Sequence, residues 1–405
     1  MTHAIHDFTA KLRQPSLLGH VGRYVEWRRA VAAARLAGRQ EPKPPALAPI
    51  SINLDLTTAC NYRCTHCIDW DILNTAHKHR EQELRDSLSV MAERGLRSVI
   101  LIGGGEPTLY PRFADFVAHC KALRLQVAIV SNGSRGDRLL AAAAHLREQD
   151  WIRLSLDSGS NELFRAMHKP VDPKCDLDAI CAWIPQIKAA QPAVRCGYSY
   201  IITWNGSSRE ENALHENIHE IVMGAERAKQ AGFDYIAYKP VLERQADGAE
   251  VMDPQKAQQG IAEVVARIRR EVDAAKQFAD ERFSVYESIN LRVLEQGSWR
   301  DYTRQPRTCH MQALRQVLTP TGLYNCPAHR GVEKAKIEER AAFAGAAAAD
   351  ASAGQVGAIL ERFDASHECR EVTCLYNGVN WWLEKLVHDP GAELEPSEER
   401  GDFFL

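Results

Sequence analysis

Between residues 50 and 240 the chain switches repeatedly between two hydrophobic periods. Ile52-Asn-Leu-Asp-Leu56 alternates apolar and polar side chains as a strand does, and Leu84, Leu88 and Met91 then recur at helical spacing until Gly95 stops the run. Ser98 to Ile102 predicts a second strand, which leads into Gly103-Gly104-Gly105-Glu106-Pro107. The beat continues with a helix from about Arg112 to Leu123, a strand Gln126 to Val130 ending in Ser131-Asn132-Gly133, and a helix Arg138 to His145. A strand Trp151 to Leu156 ends at Asp157 and is followed by helical stretches near Asn161 to His168 and Leu177 to Lys188. Strand Arg195 to Ile202 ends in Thr203-Trp204-Asn205, a helix runs from about Asn212 to Ala231, and strand Tyr235 to Tyr238 closes the series at Lys239-Pro240. Six strand–helix beats with polar residues gathered after the strands predict an α/β protein on a partial, TIM-like (β/α)6 barrel.

The pattern changes on either side of the barrel. Residues 1–50 hold an amphipathic stretch with Tyr24, Trp27 and Val31, then a Pro-rich linker from Glu41 to Pro45, and are expected to pack on the outside of the barrel. After Pro240 come a charged loop, Glu243 to Glu250, and a helix carrying Ile261, Val264, Val265, Ile268 and Val272, which together predict a helical bridge over 241–300. Leu318 to Cys326 reads as a hairpin with turn residues between two short strands and a cysteine at its exit, and an Ala-rich stretch runs from Ala341 to Gly354. Residues 301–405 are therefore expected to form a small α+β module. A length of 405 residues agrees with two to three domains of roughly 150 residues each.

Composition and charge remove several functions. Hydrophobic residues make up 45% and charged residues 25%, and 50 basic against 53 acidic side chains leave a net charge of −3. A dedicated binder of nucleic acid or anionic membrane needs a surplus of Lys and Arg that is absent here. No stretch approaches 18 uninterrupted apolar residues, and the N-terminus lacks the layout of a signal peptide, so a cytoplasmic location is expected. Eleven cysteines then need an explanation other than disulfides, which are rare in that compartment.

Two groups of cysteines have the look of ligand sets. Cys60, Cys64 and Cys67 form a Cys-x3-Cys-x2-Cys run directly after the first strand, and Cys309, Cys326, Cys369 and Cys374 gather near the C-terminus. Structural zinc asks for four closed ligands, and His66 is adjacent to Cys67, an awkward place for a fourth; three thiolates on a 4Fe-4S cluster instead leave one iron open. Gly103 to Gly105 let the backbone approach a ligand closely while Glu106 offers an anionic acceptor, which makes a site for a cationic group. The alternative for that segment, as for Ser131-Asn132-Gly133, is a tight turn, and for Ser155 and Asp157 it is the capping of a strand end.

With the Cys60–Cys64–Cys67 run after one strand and Gly104-Gly105-Glu106-Pro107 after the next, the chain resembles a radical S-adenosylmethionine (radical SAM) enzyme over about residues 50 to 240. The resemblance implies that the three cysteines hold a 4Fe-4S cluster whose open iron is chelated by S-adenosylmethionine. It also implies cofactor contacts by Gly104, Gly105 and Glu106 with the methionyl amino group, by Ser131, Asn132, Ser155 and Asp157 with the carboxylate and ribose, and by His66 beside the adenine. The C-terminal cysteines resemble the Twitch module, the shorter relative of the SPASM extension, and imply an auxiliary 4Fe-4S cluster on Cys309, Cys326, Cys369 and Cys374. Cys369-x4-Cys374 departs from the commoner close pairs, and a zinc site or reduced core cysteines are the alternatives there.

The remaining Cys120, Cys175, Cys181 and Cys196 are expected to be small buried hydrophobes, with Cys175, in a loop before a helix, the alternative candidate for a hydrogen-atom donor. Arg165, His168 and Lys239 read equally as surface residues or anion contacts, and His310, His329 and Arg330 as groups beside the auxiliary ligands that orient a polar substrate. The favoured substrate is a small polar metabolite of sugar or aminocyclitol type, undergoing dehydrogenation, epimerisation or elimination, with an electron donor such as flavodoxin or ferredoxin as partner. A maturase acting on a ribosomally made peptide is the second reading. A non-catalytic metal-binding interaction protein is the third, and the glycine–glutamate–proline turn speaks against it.

Overall fold

The computed structural model describes residues 7–209, 212–245, 247–258 and 260–405. One ten-stranded sheet organises them: β1 (Ser51–Asp55), β2 (Ser98–Ile102), β3 (Gln126–Ser131), β4 (Trp151–Ser155), β5 (Arg195–Ile202), β6 (Tyr235–Pro240), β7 (Ser284–Glu287), β8 (Arg315–Thr319), β9 (Gly322–Tyr324) and β10 (Lys336–Glu338). Their order is β7-β6-β5-β4-β3-β2-β1-β8-β9-β10. All pairs from β7 to β8 are parallel, and β8, β9 and β10 are antiparallel. The sheet curls into a barrel that does not close.

Alternation along the strands explains the layers. Ile152 and Leu154 of β4, Cys196, Tyr198, Tyr200 and Ile202 of β5, and Ile236 and Tyr238 of β6 face outward into the main core. There they meet helices such as Glu81–Glu93 and Phe113–Ala122, which bury Leu84, Leu88, Met91, Phe113, Phe116 and Val117. The opposite set of side chains turns into the lumen. Ile100, Ala128 and Val130 form a separate cluster there with Phe404, whose ring lies 5.4 Å from that of Trp151. The C-terminal residues thus close the floor, and Lys11 fixes them by donating to the Phe404 carbonyl at 2.7 Å and pairing with Asp402 at 2.8 Å.

Several elements differ from the sequence expectations for physical reasons. The helix Ile261–Lys276 is not a bridge: it packs on helix Ile221–Gln230 and leads to β7, a seventh parallel strand. The helix expected from Asn212 begins only at Ile221, after a 3-10 turn Ile218–Glu220. Asn217 is buried there, accepting from Thr203 N at 2.8 Å and donating to the carbonyls of Asp157 and Ile201 at 2.8 and 2.7 Å, so it serves strand ends and cannot sit in a regular helix face. Positions 210 and 211 lie outside the described residues. The loop Glu243 to Glu250 folds into a ribbon, Glu243–Arg244 against Glu250–Val251. The N-terminal helix Pro15–Leu36 packs mainly on helix Asn377–His388 and the C-terminal module, sharing a core of Leu17, Val21 and Tyr24 with Leu314, Leu360 and Leu383, because its apolar stripe matches theirs. The hairpin at 318–326 is present as β8 and β9, joined edge-on to β1. Among the described residues no helix is long and apolar enough to cross a membrane.

Candidate functional site

The cysteine run leaves β1 as a loop that is tied down at both ends. Cys60 N donates to Asn74 Oδ1 at 3.0 Å, and Asn74 N to the Thr58 carbonyl at 2.7 Å. In its middle the loop rests on the end of helix Asn161–His168, through Arg63 N to the His168 carbonyl at 3.1 Å and Thr65 N to the Met167 carbonyl at 2.8 Å. Among the described residues Cys60, Cys64 and Cys67 form no disulfide, and all three are half-buried. Burial pushes the Cys64 thiol well above its usual value, and Cys67 and Cys60 push it further. A thiol whose ionisation two neighbouring thiols oppose is stabilised by a cation shared among them, so the donor set fits an iron–sulfur group.

The Gly103–Pro107 turn is docked on the same loop. Glu106 N donates to the Ala59 carbonyl at 2.8 Å, and a Cβ on Gly105 would stand 2.3 Å from that carbonyl oxygen, so only glycine allows the two backbones to meet. Glu106 is 2% exposed. It accepts from Thr108 N and Ser131 Oγ on Oε1, at 3.0 and 2.7 Å, and from Asn132 N on Oε2 at 2.7 Å. Burial raises its pKa against these hydrogen bonds. Glu106 therefore clamps the ends of β2 and β3 together, with Asn132 Nδ2 reaching on to Asn61 Oδ1 of the cysteine loop at 3.0 Å.

Asp157 follows β4 with φ of 50°. Its Oδ1 accepts from Ile201 N at 2.6 Å, and its Oδ2 lies 3.0 Å from His66 Nε2 and 3.4 Å from His168 Nε2. Burial works to raise Asp157, but His66 and His168 hold it below the ordinary carboxylate range. His168, read equally as surface or anion contact, is buried: Nδ1 lies 3.3 Å from Cys64 Sγ and Nε2 is 3.0 Å from the Leu156 carbonyl, and burial lowers its pKa to about 4. Arg165, three residues earlier, is on the surface with Asp176 at 2.8 Å. Ser155 faces the lumen, and Cys175 Sγ lies 3.0 Å from the Tyr62 hydroxyl, inside the cysteine loop's reach.

Above the loop a cavity of about 530 Å³ is lined by His66, Cys67, Asp71, Leu242, Arg244 and Val332, among others. A second cavity, of about 120 Å³, has Cys309, Cys326, Cys369 and Cys374 all in its wall. Burial and the other three thiols push Cys369 well above its usual value, and burial takes Cys326 to about 12. Arg315 Nε, Asn325 Oδ1 and Thr373 Oγ1, from residues of the same wall, are buried and among the described residues have no hydrogen-bond partner. Four converging thiols and orphaned polar atoms fit a metal–sulfur group. Of the neighbours, His329 Nε2 lies 3.6 Å from Cys369 Sγ, whereas His310 joins Tyr24 (2.7 Å) to Glu384 (2.8 Å) and so fastens the N-terminal helix to helix Asn377–His388.

The sequence reading missed how Arg330 is used. Its guanidinium reaches Asp69 Oδ2 at 2.6 Å, with Nε 3.3 Å from Asp55 Oδ2, and so joins the C-terminal module to both flanks of the cysteine loop. A buried arginine facing two carboxylates that bracket the cysteines was not a pattern that spacing along the chain reveals.

Residues 54–216 match the profile of the Radical SAM superfamily. They belong to that superfamily. Among curated relatives, an S-adenosylmethionine-dependent nucleotide dehydratase of Thermoplasmatales archaeon (strain ISO4-H5) is 37% identical over 111 residues, 27% of this chain and 38% of that protein. Mycofactocin maturase MftC of Mycolicibacterium smegmatis is 30% identical over 116 residues, 29% of each chain. The matches thus span well under half the length of these relatives. Among solved structures, Streptococcus suis SuiB bound to S-adenosylmethionine superposes with a TM-score of 0.57 at 13% identity, covering 92% of this chain and 80% of that one. The anSMEcpe structure with bound AdoMet gives 0.53 at 13% identity, covering 86% and 93%. These two likenesses show that the chain shares the fold of those structures.

Proposed function

We propose that the protein is a radical SAM enzyme that acts on a small polar metabolite. The observation that carries this reading is the direct docking of the Gly103–Pro107 turn on the Cys60–Cys67 loop, through Glu106 N and the Ala59 carbonyl. It places a glycine-walled, acid-bearing turn beside three gathered thiols. When bound, the cluster and S-adenosylmethionine supply one-electron cleavage of a carbon–sulfur bond and a 5'-deoxyadenosyl radical that takes a hydrogen atom from the substrate. Cys60, Cys64 and Cys67 would hold the cluster; Gly104, Gly105, Glu106, Ser131, Asn132, Ser155, Asp157 and His66 would hold the S-adenosylmethionine. Cys309, Cys326, Cys369 and Cys374 would hold the auxiliary cluster. The chain's own part is positioning: Glu106 keeps two strand ends together, and the Asp157–His66 contact fixes the cysteine loop over β4.

The 530 Å³ cavity lies within the range of about 300–1,000 Å³ typical of small-molecule sites. Its mixed lining of Arg244, Asp71 and Glu243 with Leu214, Leu242 and Val332 suits a polar compound with some apolar surface. A peptide-modifying maturase is the second reading. It is favoured by the ribbons Ser208–Arg209/Asn212–Ala213 and Glu243–Arg244/Glu250–Val251 beside the cavity, whose edges an extended peptide can join. Protein reconstituted anaerobically and reduced with dithionite is expected to convert S-adenosylmethionine to 5'-deoxyadenosine, and Cys64→Ala to abolish that conversion. Absence of 5'-deoxyadenosine from protein with intact clusters refutes the enzymatic reading.

A further inference from the structure

One side chain in the wall of the smaller cavity is both buried and committed to a cysteine. Helix Asn377–His388 turns Val379, Asn380, Leu383, Leu386 and Val387 inward, so Asn380 is an amide on an otherwise apolar face, 1% exposed. An amide there costs free energy unless its polar atoms find partners. Asn380 Oδ1 accepts from Met311 N at 3.2 Å, and Nδ2 donates to Gln305 Oε1 at 3.3 Å and to Cys309 Sγ at 3.4 Å. Met311 opens the short helix Met311–Leu314, whose first N–H groups have no partner within the helix. Because Met311 N can only donate, the atom facing it is the oxygen, and both amide hydrogens are left for Gln305 and Cys309.

Two further donors line the same cavity. Arg315, the first residue of β8, gives one nitrogen to Asn53 Oδ1 at 2.9 Å and lies over the Tyr376 ring at 5.3 Å. Its Nε is buried and among the described residues has no hydrogen-bond partner. Thr373, next to Cys374 and 5% exposed, has an Oγ1 that is likewise buried and without a partner among the described residues. Asn380 and Arg315 both favour thiolate: the Asn380 bond opposes the effect of burial at Cys309, and the Arg315 charge opposes it at Cys326 and Cys374. Glu250, also in the wall, works the other way at Cys326. Donors and a cation near sulfur favour the state that carries more negative charge there. Hydrogen bonds to the sulfurs and net charge are among the features that set the potential of an iron–sulfur centre, so these two side chains ease reduction.

We propose that Asn380 and Arg315 are positioning residues of the auxiliary site: Asn380 orients Cys309 through its N–H···S bond, Arg315 supplies a positive charge to the wall that bears Cys326 and Cys374, and each raises the potential of the group held there. This rests on the reading of Cys309, Cys326, Cys369 and Cys374 as ligands of a second iron–sulfur cluster. A purely structural Asn380, capping Met311 N, needs only its oxygen and leaves the sulfur untouched, so the distinguishing readout is the potential.

The test uses the whole chain with Cys60, Cys64 and Cys67 replaced by alanine and reconstituted anaerobically, so that the C-terminal cysteines alone hold a cluster, at about four irons per chain. Its midpoint potential is read by redox titration followed by electron paramagnetic resonance. Asn380→Leu and Arg315→Met are each expected to lower the reduction equilibrium constant at least tenfold, a fall of about 59 mV or more for one electron. Arg315→Lys keeps the charge, and Gln305→Leu removes the other partner of the Asn380 amide but leaves the sulfur bond; both are expected to stay within threefold of the parent. A constant within threefold of the parent in either Asn380→Leu or Arg315→Met overturns the proposal, as does an equal fall in Gln305→Leu. If Asn380→Leu takes up no iron, Asn380→Asp, which keeps an acceptor for Met311 N and replaces the amide donor by oxygen, is held to the same tenfold fall. A parent chain that takes up no iron refutes the auxiliary cluster and this proposal with it. About four irons with unmoved midpoints refute only the roles given to Asn380 and Arg315.

Discussion

Replacing Arg330 with methionine removes the charge that joins the C-terminal module to the cysteine loop while keeping most of the side chain's bulk. Arg330 is 5% exposed and faces Asp69 at 2.6 Å and Asp55 at 3.3 Å, both buried, and Glu250 lies within its field. Burial raises Asp55, Asp69 and Glu250 alike, Glu250 to about 7, and Arg330 opposes the rise in each. Without the guanidinium at least one carboxylate is left charged and unpaired in the interior, which costs about 3–5 kcal/mol. Unfolding entropy of about 2.1 cal/mol/K per residue converts that, over 405 residues unfolding together, into a fall of about 4–6 °C in melting temperature. Thermal unfolding followed by circular dichroism measures it, and Asp69→Asn and the double variant complete a cycle. The double variant is expected to be less destabilised than the two single changes added together, by more than about 1 kcal/mol. A melting temperature within 1 °C of wild type for Arg330→Met, or strict additivity in the cycle, refutes the reasoning.

Two further outcomes are expected. His20 lies against Gly95 with its Nε2 buried and, among the described residues, without a hydrogen-bond partner, and burial lowers its pKa to about 4. Between pH 6.5 and 4 the unfolded chain therefore binds more protons than the native one. The native state's advantage is complete above pH 6.5 and shrinks by up to about 1.4 kcal/mol per unit as the pH falls. Urea titrations at pH 6.5 and 5 should show wild type losing about 1.6 kcal/mol more than His20→Leu, and equal losses would exclude His20 as the cause. For the C-terminal cysteines, Cys326→Ser should lower iron in the reconstituted protein from about eight to about four per chain, read by colorimetric iron assay. Iron unchanged by the substitution would count against an auxiliary cluster in that cavity.

What could be read from the chain was whatever is written locally. The strands β1 to β6 show themselves because outward residues such as Ile152 and Leu154 alternate with inward ones, and the helices Glu81–Glu93 and Phe113–Ala122 because their apolar residues repeat at 3.6. The cysteine run and the glycine turn were legible for the same reason: each lies within a few consecutive residues. What was not legible depends on partners distant in sequence. The parallel pairing of β8 with β1 joins Arg315 to Ser51, and β7 is a strand only because β6 offers it an edge. Asn217 delays the start of a helix that periodicity favours from Asn212, because the carbonyls of Asp157 and Ile201 take its amide. Arg165 and His168 lie one helical turn apart and are alike in sequence context, yet one is at the surface and the other against Cys64.

The buried charges divide by sign around the cysteine loop, and the division bears on what each group is for. Toward the C-terminal module, Asp55, Asp69 and Glu250 surround Arg330, an excess of acid that the fold partly neutralises with its own residue. Toward the lumen, Arg153 and Lys239 lie within the field of Asp157 and are both partly exposed, so solvent shares in neutralising them. Native stabilities of about 5–15 kcal/mol leave little room for an unpaired interior charge without a return. An internally paired group such as Arg330 gives its return in the folded state itself, by fixing one module on another, so its removal should destabilise. The lumenal cations, which solvent reaches, carry no such cost and join no modules, so their removal should leave stability nearly unchanged. The same substitution, a cation replaced by methionine, is thus expected to destabilise at Arg330 and to be near neutral at Lys239, and an equal fall in melting temperature at both would refute this division of roles.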